Sequence, residues 1–224
     1  KTVLFQTVYF RNTLGTYHML TFAACDGVVI DNCGFYDMDT TGLNTSANGE
    51  AVQIDVLIDG HFSYPAQDFT PTKNVKVTNC TFKNLGRGIG THTGVSGHYF
   101  ENMEFSNNTF ENIEGYAIKT VNYRNSIISN NKIINCGSGI FVGNMTNKGC
   151  GNFYKAFKSS DKINSNAGIT VENNDISVVD STYNALAFGI QIYGVVVTKK
   201  DLAGDYRIGW FRVVNNKITS SVSK

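Results

Sequence analysis

Residues 106–143 read SNNTFENIEGYAIKTVNYRNSIISNNKIINCGSGIFVG, and this stretch decides the fold. It carries one short pattern twice, Asn-Asn-x-[Phe/Ile], starting at Asn107 and again 23 residues later at Asn130. Outward in both directions the same signature, Asn-[Cys/Asn]-x-[Phe/Ile], returns at Asn32, Asn79, Asn173 and Asn215. Successive starts are 47, 28, 23, 43 and 42 residues apart. Self-similarity on a scale of tens of residues is the mark of a solenoid. The shortest spacing reads as one bare coil, and the longer ones as the same coil carrying loops.

Superposed, the repeats give inward columns. Two residues before the Asn stand Val77, Phe105, Ile128, Val171 and Val213. Three residues after it stand Phe35, Phe82, Phe110, Ile133, Ile176 and Ile218. Between them apolar and polar residues alternate with period two, which is strand chemistry. A further strand, usually announced by Gly, follows at 50–56, 88–92, 116–121, 139–143 and 188–193, with Ile54, Ile89, Ile118, Ile140 and Ile190 as its inward column. Three short strands per coil and no 3.6-residue apolar period predict an all-β chain. The expected architecture is a parallel β-helix of about six coils forming one domain over 1–224. The repeated Asn is assigned to the turn, because Asn tolerates left-handed backbone and its amide bonds to neighbours. Asn107 and Asn130 are accordingly expected to be buried, with amides stacked from coil to coil. Asn79 and Asn107 also fall in N-x-T sequons, as do Asn44 (N-T-S) and Asn144 (N-M-T) in loops.

Lys plus Arg number 19 against 18 Asp plus Glu, for a formal charge of +1. A nucleic-acid or membrane-surface partner needs a clustered basic excess, which this balance argues against. No apolar run reaches the roughly 18 residues of a membrane span. The opening KTVLFQTVYF has neither a start Met nor the regions of a signal peptide, so a fragment of a larger protein is expected. The five cysteines (Cys25, Cys33, Cys80, Cys136, Cys150) form no CxxC pair and no metal-ligand spacing. Cys33 and Cys80 share one place in the repeat and read as small buried thiols.

The ladder motif, the Gly-led strand and the lack of helix resemble the right-handed parallel β-helix proteins of the pectate-lyase-like superfamily, over roughly residues 17–220. That family includes lyases, hydrolases, epimerases, phage tailspikes and bacterial adhesins, so the resemblance speaks to fold more than to chemistry. It implies a carbohydrate polymer lying along a groove, and a secreted, cell-surface or phage-particle location. Tailspikes of this fold are trimers, but no residue here specifies an oligomeric state.

Insertions at 57–74, 143–167 and 194–209 leave the coil at one corner and are expected to wall a groove, with 39–49 rising opposite. Scaffold-borne loops commonly carry binding residues. On the outward side of the Gly-led strand, Asp55, His92 and Lys119 are expected on consecutive coils, stepping by about 4.8 Å. Gln53, Phe141, Gln191 and Tyr193 share that face, and Glu50 and Arg87 flank it at two strand starts. β-Elimination on a uronic acid would use His92 as base or acid. Lys119 or the planar fork of Arg87 would neutralise the substrate carboxylate. Phe141 and Tyr193 offer flat faces to sugar rings. The departures count against known chemistries of the family. Calcium needs several hard oxygen ligands, and Asp55 with Glu50 and Asp59 is a thin set, so no cofactor is expected beyond at most a weak calcium site. Hydrolysis needs two carboxyl groups flanking one bond, and no such pair stands on this face. The leading expectation is a lyase- or epimerase-like action on an acidic polysaccharide. The alternative is a glycan-binding module of an adhesin or tailspike that does not cut its ligand, and a plain structural spacer is the third. His18 and His98 read as turn or surface residues, and Trp210 as core or edge cover.

Overall fold

The computed structural model describes residues 2–41, 49–57, 70–91, 98–143, 168–180, 187–193, 195–197, 204–206 and 211–222. Two successive coils show how it is wound. Glu104–Ser106, Thr109–Ile113 and Tyr116–Val121 form one, and Ser126–Ser129, Lys132–Cys136 and Ser138–Gly143 form the next. Each strand pairs in parallel with its equivalent above and below, Phe105 opposite Ile128, Phe110 opposite Ile133 and Ile118 opposite Ile140. Three parallel sheets result, here called first, second and third in the order a coil visits them. The main path of the first two holds seven strands each, and that of the third holds six. The six motif-bearing coils are thus preceded by another, in which Thr7-Val-Tyr-Phe10 takes the place of the motif and Thr7 adopts the left-handed φ of 57°. No helix occurs among the described residues.

The core follows from register. Because equivalent residues sit one strand apart, identical side chains stack, and the second sheet lines up Phe10, Phe35, Phe82 and Phe110. Their centroids are 4.9, 4.7 and 4.6 Å apart and their planes lie within 10° of parallel. Those steps are the inter-strand spacing of a sheet. Ile133 and Ile176 continue the column, both buried.

The turn between first and second sheets corrects one expectation. Asn107 and Asn130 are exposed, with φ of 58° and 56°. The buried ladder is built by the residue after each of them. Asn108 N donates to Asn131 Oδ1 at 3.0 Å, Asn131 N to Asn174 Oδ1 at 3.0 Å, and Asn174 N to Asn216 Oδ1 at 3.0 Å. The division of labour is physical: a left-handed residue turns its side chain outward, and the next one then points into the turn. At the N-terminal end cysteines continue the ladder, Cys80 N donating to Asn108 Oδ1 at 2.9 Å and Cys33 N to Cys80 Sγ at 3.4 Å. Cys25, Cys33, Cys80 and Cys136 are free thiols, and burial pushes Cys80 and Cys136 up to about 12.

Outside the coil, cross-strand ion pairs tie neighbouring turns: Lys76–Glu104 at 3.0 Å, Lys83–Glu111 at 2.9 Å, and Glu101 held between Lys73 at 2.7 Å and Arg124. Partial burial works to raise the Glu101 carboxyl, but hydrogen bonds and charge from Lys73 and Arg124 outweigh it and leave it below the ordinary value of 4.5. A carboxyl depressed in the folded state stabilises fully above its unfolded value, and that contribution is lost as pH falls through the lower folded value. Glu101→Gln is therefore expected to melt below the parent at neutral pH. The gap should close in acid, as the parent carboxyl protonates. Melting temperatures of the two proteins against pH check this, and a gap that stays constant into acid would contradict it.

Candidate functional site

Of the residues that the sequence assigned to chemistry, Glu50, Gln53, Asp55, Arg87, Lys119, Phe141, Gln191 and Tyr193 lie in the third sheet. Its strands run Leu20–Ala23, Glu50–Asp55, Arg87–Gly90, Tyr116–Val121, Ser138–Gly143 and Ile190–Tyr193 in space. Val52, Ile89, Ile118, Ile140 and Ile190 form one register column. Its neighbour is the row Thr21, Gln53, Gly90, Lys119, Phe141 and Gln191. Phe141 is buried outside the central core that contains Ile140 and Val142, so this row faces away from the coil interior.

Face and register have different outcomes here. Asp55, Gln53, Lys119, Phe141, Gln191 and Tyr193 keep the outward side, as alternation demanded. The row does not run Asp55 to Lys119, however. Ile54 pairs with Phe22, and the partner of Ile89 is Val52, so Gln53 shares the row of Lys119 and Asp55 lies two residues further along. A shift by an even number of residues keeps every side chain on its face while changing its neighbours. Aligning the first Ile of each strand misplaced this coil, because Val52 holds that place in it. His92, Asp59, His61 and Trp210 lie outside the described residues, as do most of the insertions at 39–49, 57–74, 143–167 and 194–209.

This outward face is a buried polar layer. Gln53 is 1% exposed, Asp55 0% and Lys119 8%. Gln53 Nε2 donates to Asp55 Oδ2, and Thr21 Oγ1 donates to Gln53 Oε1 at 3.2 Å. Glu50 is paired with Arg87 Nη1 at 3.1 Å and lies 3.4 Å from His18 Nδ1. Gly90 makes room for that carboxylate, since a Cβ there would fall 2.4 Å from Glu50 Cγ. The Lys119 ammonium sits 5.6 Å from the centre of the Tyr116 ring, which meets Phe141 edge-on at 5.9 Å. Burial raises the Tyr116 hydroxyl, against a smaller opposing effect of the Arg87 charge. Gln191 is half-buried, and Tyr193 alone of these is largely exposed, at 49%. Chemically the layer offers charge pairs and amide hydrogen bonds already made within the protein. Among the described residues no group of three or more His, Cys, Asp or Glu is placed to hold a metal ion.

Open concavity borders the bend of the second sheet. Five residues after the motif start, Asp37, Asn84, Asn112 and Asn135 all take left-handed backbone, with φ of 60°, 57°, 56° and 53°, and Asn12 does so on the first coil at 59°. All five are exposed. Two cavities of about 450 and 440 Å³ border this column and share Met38 and Asn84. The signal was in the sequence as a second Asx at a constant offset from the motif. Asx is also an ordinary turn residue, so its recurrence does not by itself mark a groove.

With the geometry in place, the chain can be set beside known proteins. It matches the family model described as a right handed beta helix region over residues 24–223, and it belongs to that family. No curated protein matches the sequence. Among solved structures similar to the chain are two of PfbA of Streptococcus pneumoniae. One, described as a surface protein and adhesin, is 17% identical, with a TM-score of 0.49, over 95% of this chain and 67% of that one. The other, described as a surface adhesin, is 15% identical, with a TM-score of 0.51, over 99% of this chain and 61% of that one. At 15% identity the second likeness is one of fold alone.

Proposed function

We propose that this β-helix is a glycan-binding module of the surface-adhesin kind, holding a polymer along its side without cleaving it. The observation that supports this reading most directly is the closure of the third-sheet polar layer. Proton abstraction from a sugar carbon needs a base within hydrogen-bond reach of the substrate. Asp55 and Lys119 are instead buried, and the Glu50 carboxylate is paired with Arg87. The fold shared with a pneumococcal surface adhesin agrees with such a role, and a cell-surface setting follows from the same reading.

The test separates binding from cutting. The protein is incubated with polygalacturonate, alginate and glycosaminoglycans, and with neutral polysaccharides. Ultraviolet absorbance of unsaturated products and polymer size are followed, and retention of the protein on immobilised polymer is measured. Retention with polymers of unchanged size and no new absorbance is expected. New absorbance with shortening chains would overturn the reading in favour of a polysaccharide lyase, with Lys119, Arg87 and His92 as the first residues to substitute.

A further inference from the structure

We infer that the glycan site is the amide-lined groove along the bend of the second sheet, and that it takes a neutral, hydroxyl-rich chain rather than a polyuronate. The inference rests on the binding reading above and gives it a place and a ligand class.

The groove is built from one repeating element. In the first five coils, from Asn12 to Asn135, a left-handed Asx bends the strand at the same point, so the bends align into a corner that runs along the helix axis. Asn112 Nδ2 donates to Asn84 Oδ1 at 3.1 Å, and Asn84 Nδ2 donates to Asp37 Oδ1 at 2.9 Å. These exposed amides are therefore held in fixed orientation, each by its neighbour, before any ligand arrives. A side-chain amide has two N–H donors and two lone pairs. Ladder bonds consume one N–H of Asn84 and one of Asn112, which leaves each a second N–H and further acceptor capacity on its oxygen. A donor and an acceptor repeating every 4.7–4.9 Å, the strand spacing, match the hydroxyl pairs of an extended sugar chain. Rigid preorganised groups lose little entropy on binding, and this is where affinity for a polar ligand comes from.

Charge decides the ligand class. Asp37 and Asp39 border one cavity, and Glu114 and Asp180 the other, whereas none of the described residues lining either is Lys, Arg or His. The Asp39 carboxylate is stabilised by the Thr41 backbone N–H, donating at 3.0 Å, and is ionised at neutral pH. A polyanion brought into this groove would meet these four like charges, a repulsion that sets specificity. Carboxylates accept hydrogen bonds from hydroxyls and suit an uncharged sugar. Beside the groove, Tyr36 folds over Gly34 and stacks with the exposed Tyr9, their centroids 6.4 Å apart, while the Arg11 guanidinium lies 4.7 Å from the Tyr36 ring centre, so the aromatic surface next to Asp37 is that of Tyr9.

The experiment uses the double variant N84G/N112G. Glycine accepts left-handed backbone without strain, so the fold is kept while two amides are removed. Thermal melting verifies this. Binding of neutral linear hexasaccharides (gluco-, galacto- and manno-configured) is titrated by calorimetry, with oligogalacturonate as the acidic control. At least one neutral chain is expected to bind the parent, to bind N84G/N112G at least tenfold more weakly, and to outcompete oligogalacturonate. Equal affinity of parent and variant for the neutral chain would overturn the groove while leaving the binding module intact. Tighter binding of oligogalacturonate would overturn the ligand class, and no binding of any chain would overturn the inference and weaken the proposed function with it. A third variant, Asn112→Asp, adds charge without changing shape. It should leave oligogalacturonate unbound, and a gain in acidic binding there would count against the charge argument.

Discussion

Asn131→Ala is expected to destabilise the protein by about 3 kcal/mol, whereas Asn130→Gly next to it should cost well under half as much. The inner amide is one rung of a continuous chain. Its Oδ1 accepts from Asn108 N at 3.0 Å and from Asn108 Nδ2 at 3.1 Å. Its Nδ2 donates to Phe105 O and to Asn174 Oδ1, both at 2.9 Å. Truncation leaves a buried N–H and a buried carbonyl without that partner, at roughly 1–3 kcal/mol for each such group. For a chain of this size about 3 kcal/mol is on the order of a 10 °C fall in melting temperature. Asn130 is exposed at φ 56° and contributes mainly its tolerance of that backbone, which Gly supplies as well. Thermal unfolding of the two single variants checks the assignment. A large loss at Asn130→Gly with none at Asn131→Ala would return the ladder to the outer residue.

That contrast marks how much the sequence reveals. Period-two alternation around Asn107 and Asn130 was enough to read the strands, the coil and the Phe–Ile column, because those depend on composition at fixed offsets. Which of two adjacent residues turns inward depends on one φ angle, and both Asn131 and Asn130 are compatible with either place by residue type alone. Cys33 and Cys80 held the missing clue, since a small thiol directly after the Asn belongs in a buried turn and not at a solvated corner. Register is the other gap. Alternation placed Asp55 and Lys119 on one face, but only the pairing of Val52 with Ile89 shows that Gln53 is the row neighbour of Lys119. Burial of that face was not legible either. An outward Gln, Asp or Lys on a β-helix reads as solvated, and nothing in the residue pattern says that Gln53 and Asp55 end almost fully enclosed. The second Asx column was legible in principle, at five residues after Asn32, Asn79, Asn107 and Asn130, and it borders the open cavities.

Arg87→Met is expected to lower stability by about 3 kcal/mol and to leave glycan affinity unchanged in the protein that remains folded. The guanidinium lies 3.1 Å from Glu50 Oε1, and the two side chains are 13% and 1% exposed. Removing one member of a buried pair leaves the other charge in a medium that solvates it poorly, and such losses run to about 3–5 kcal/mol. Gly90 packs directly beneath the Glu50 side chain, and His18 lies on its other oxygen, so the carboxylate has little room to swing into water. The double variant Glu50→Gln/Arg87→Met removes both charges, and it should recover much of the loss, because an apolar or neutral replacement of a whole buried pair is far milder than its rupture. Measured unfolding free energies of parent, single and double variants give the coupling between the two residues directly. Titrations against the neutral hexasaccharide at a temperature where the parent, both single variants (Glu50→Gln and Arg87→Met) and the double variant are all folded give the second readout. A coupling near zero, together with lost binding in Arg87→Met, would mean that Arg87 meets the ligand and that the third-sheet layer is a recognition surface after all. A large coupling with unchanged affinity assigns the same arginine to the fold, and leaves recognition to the bend of the second sheet.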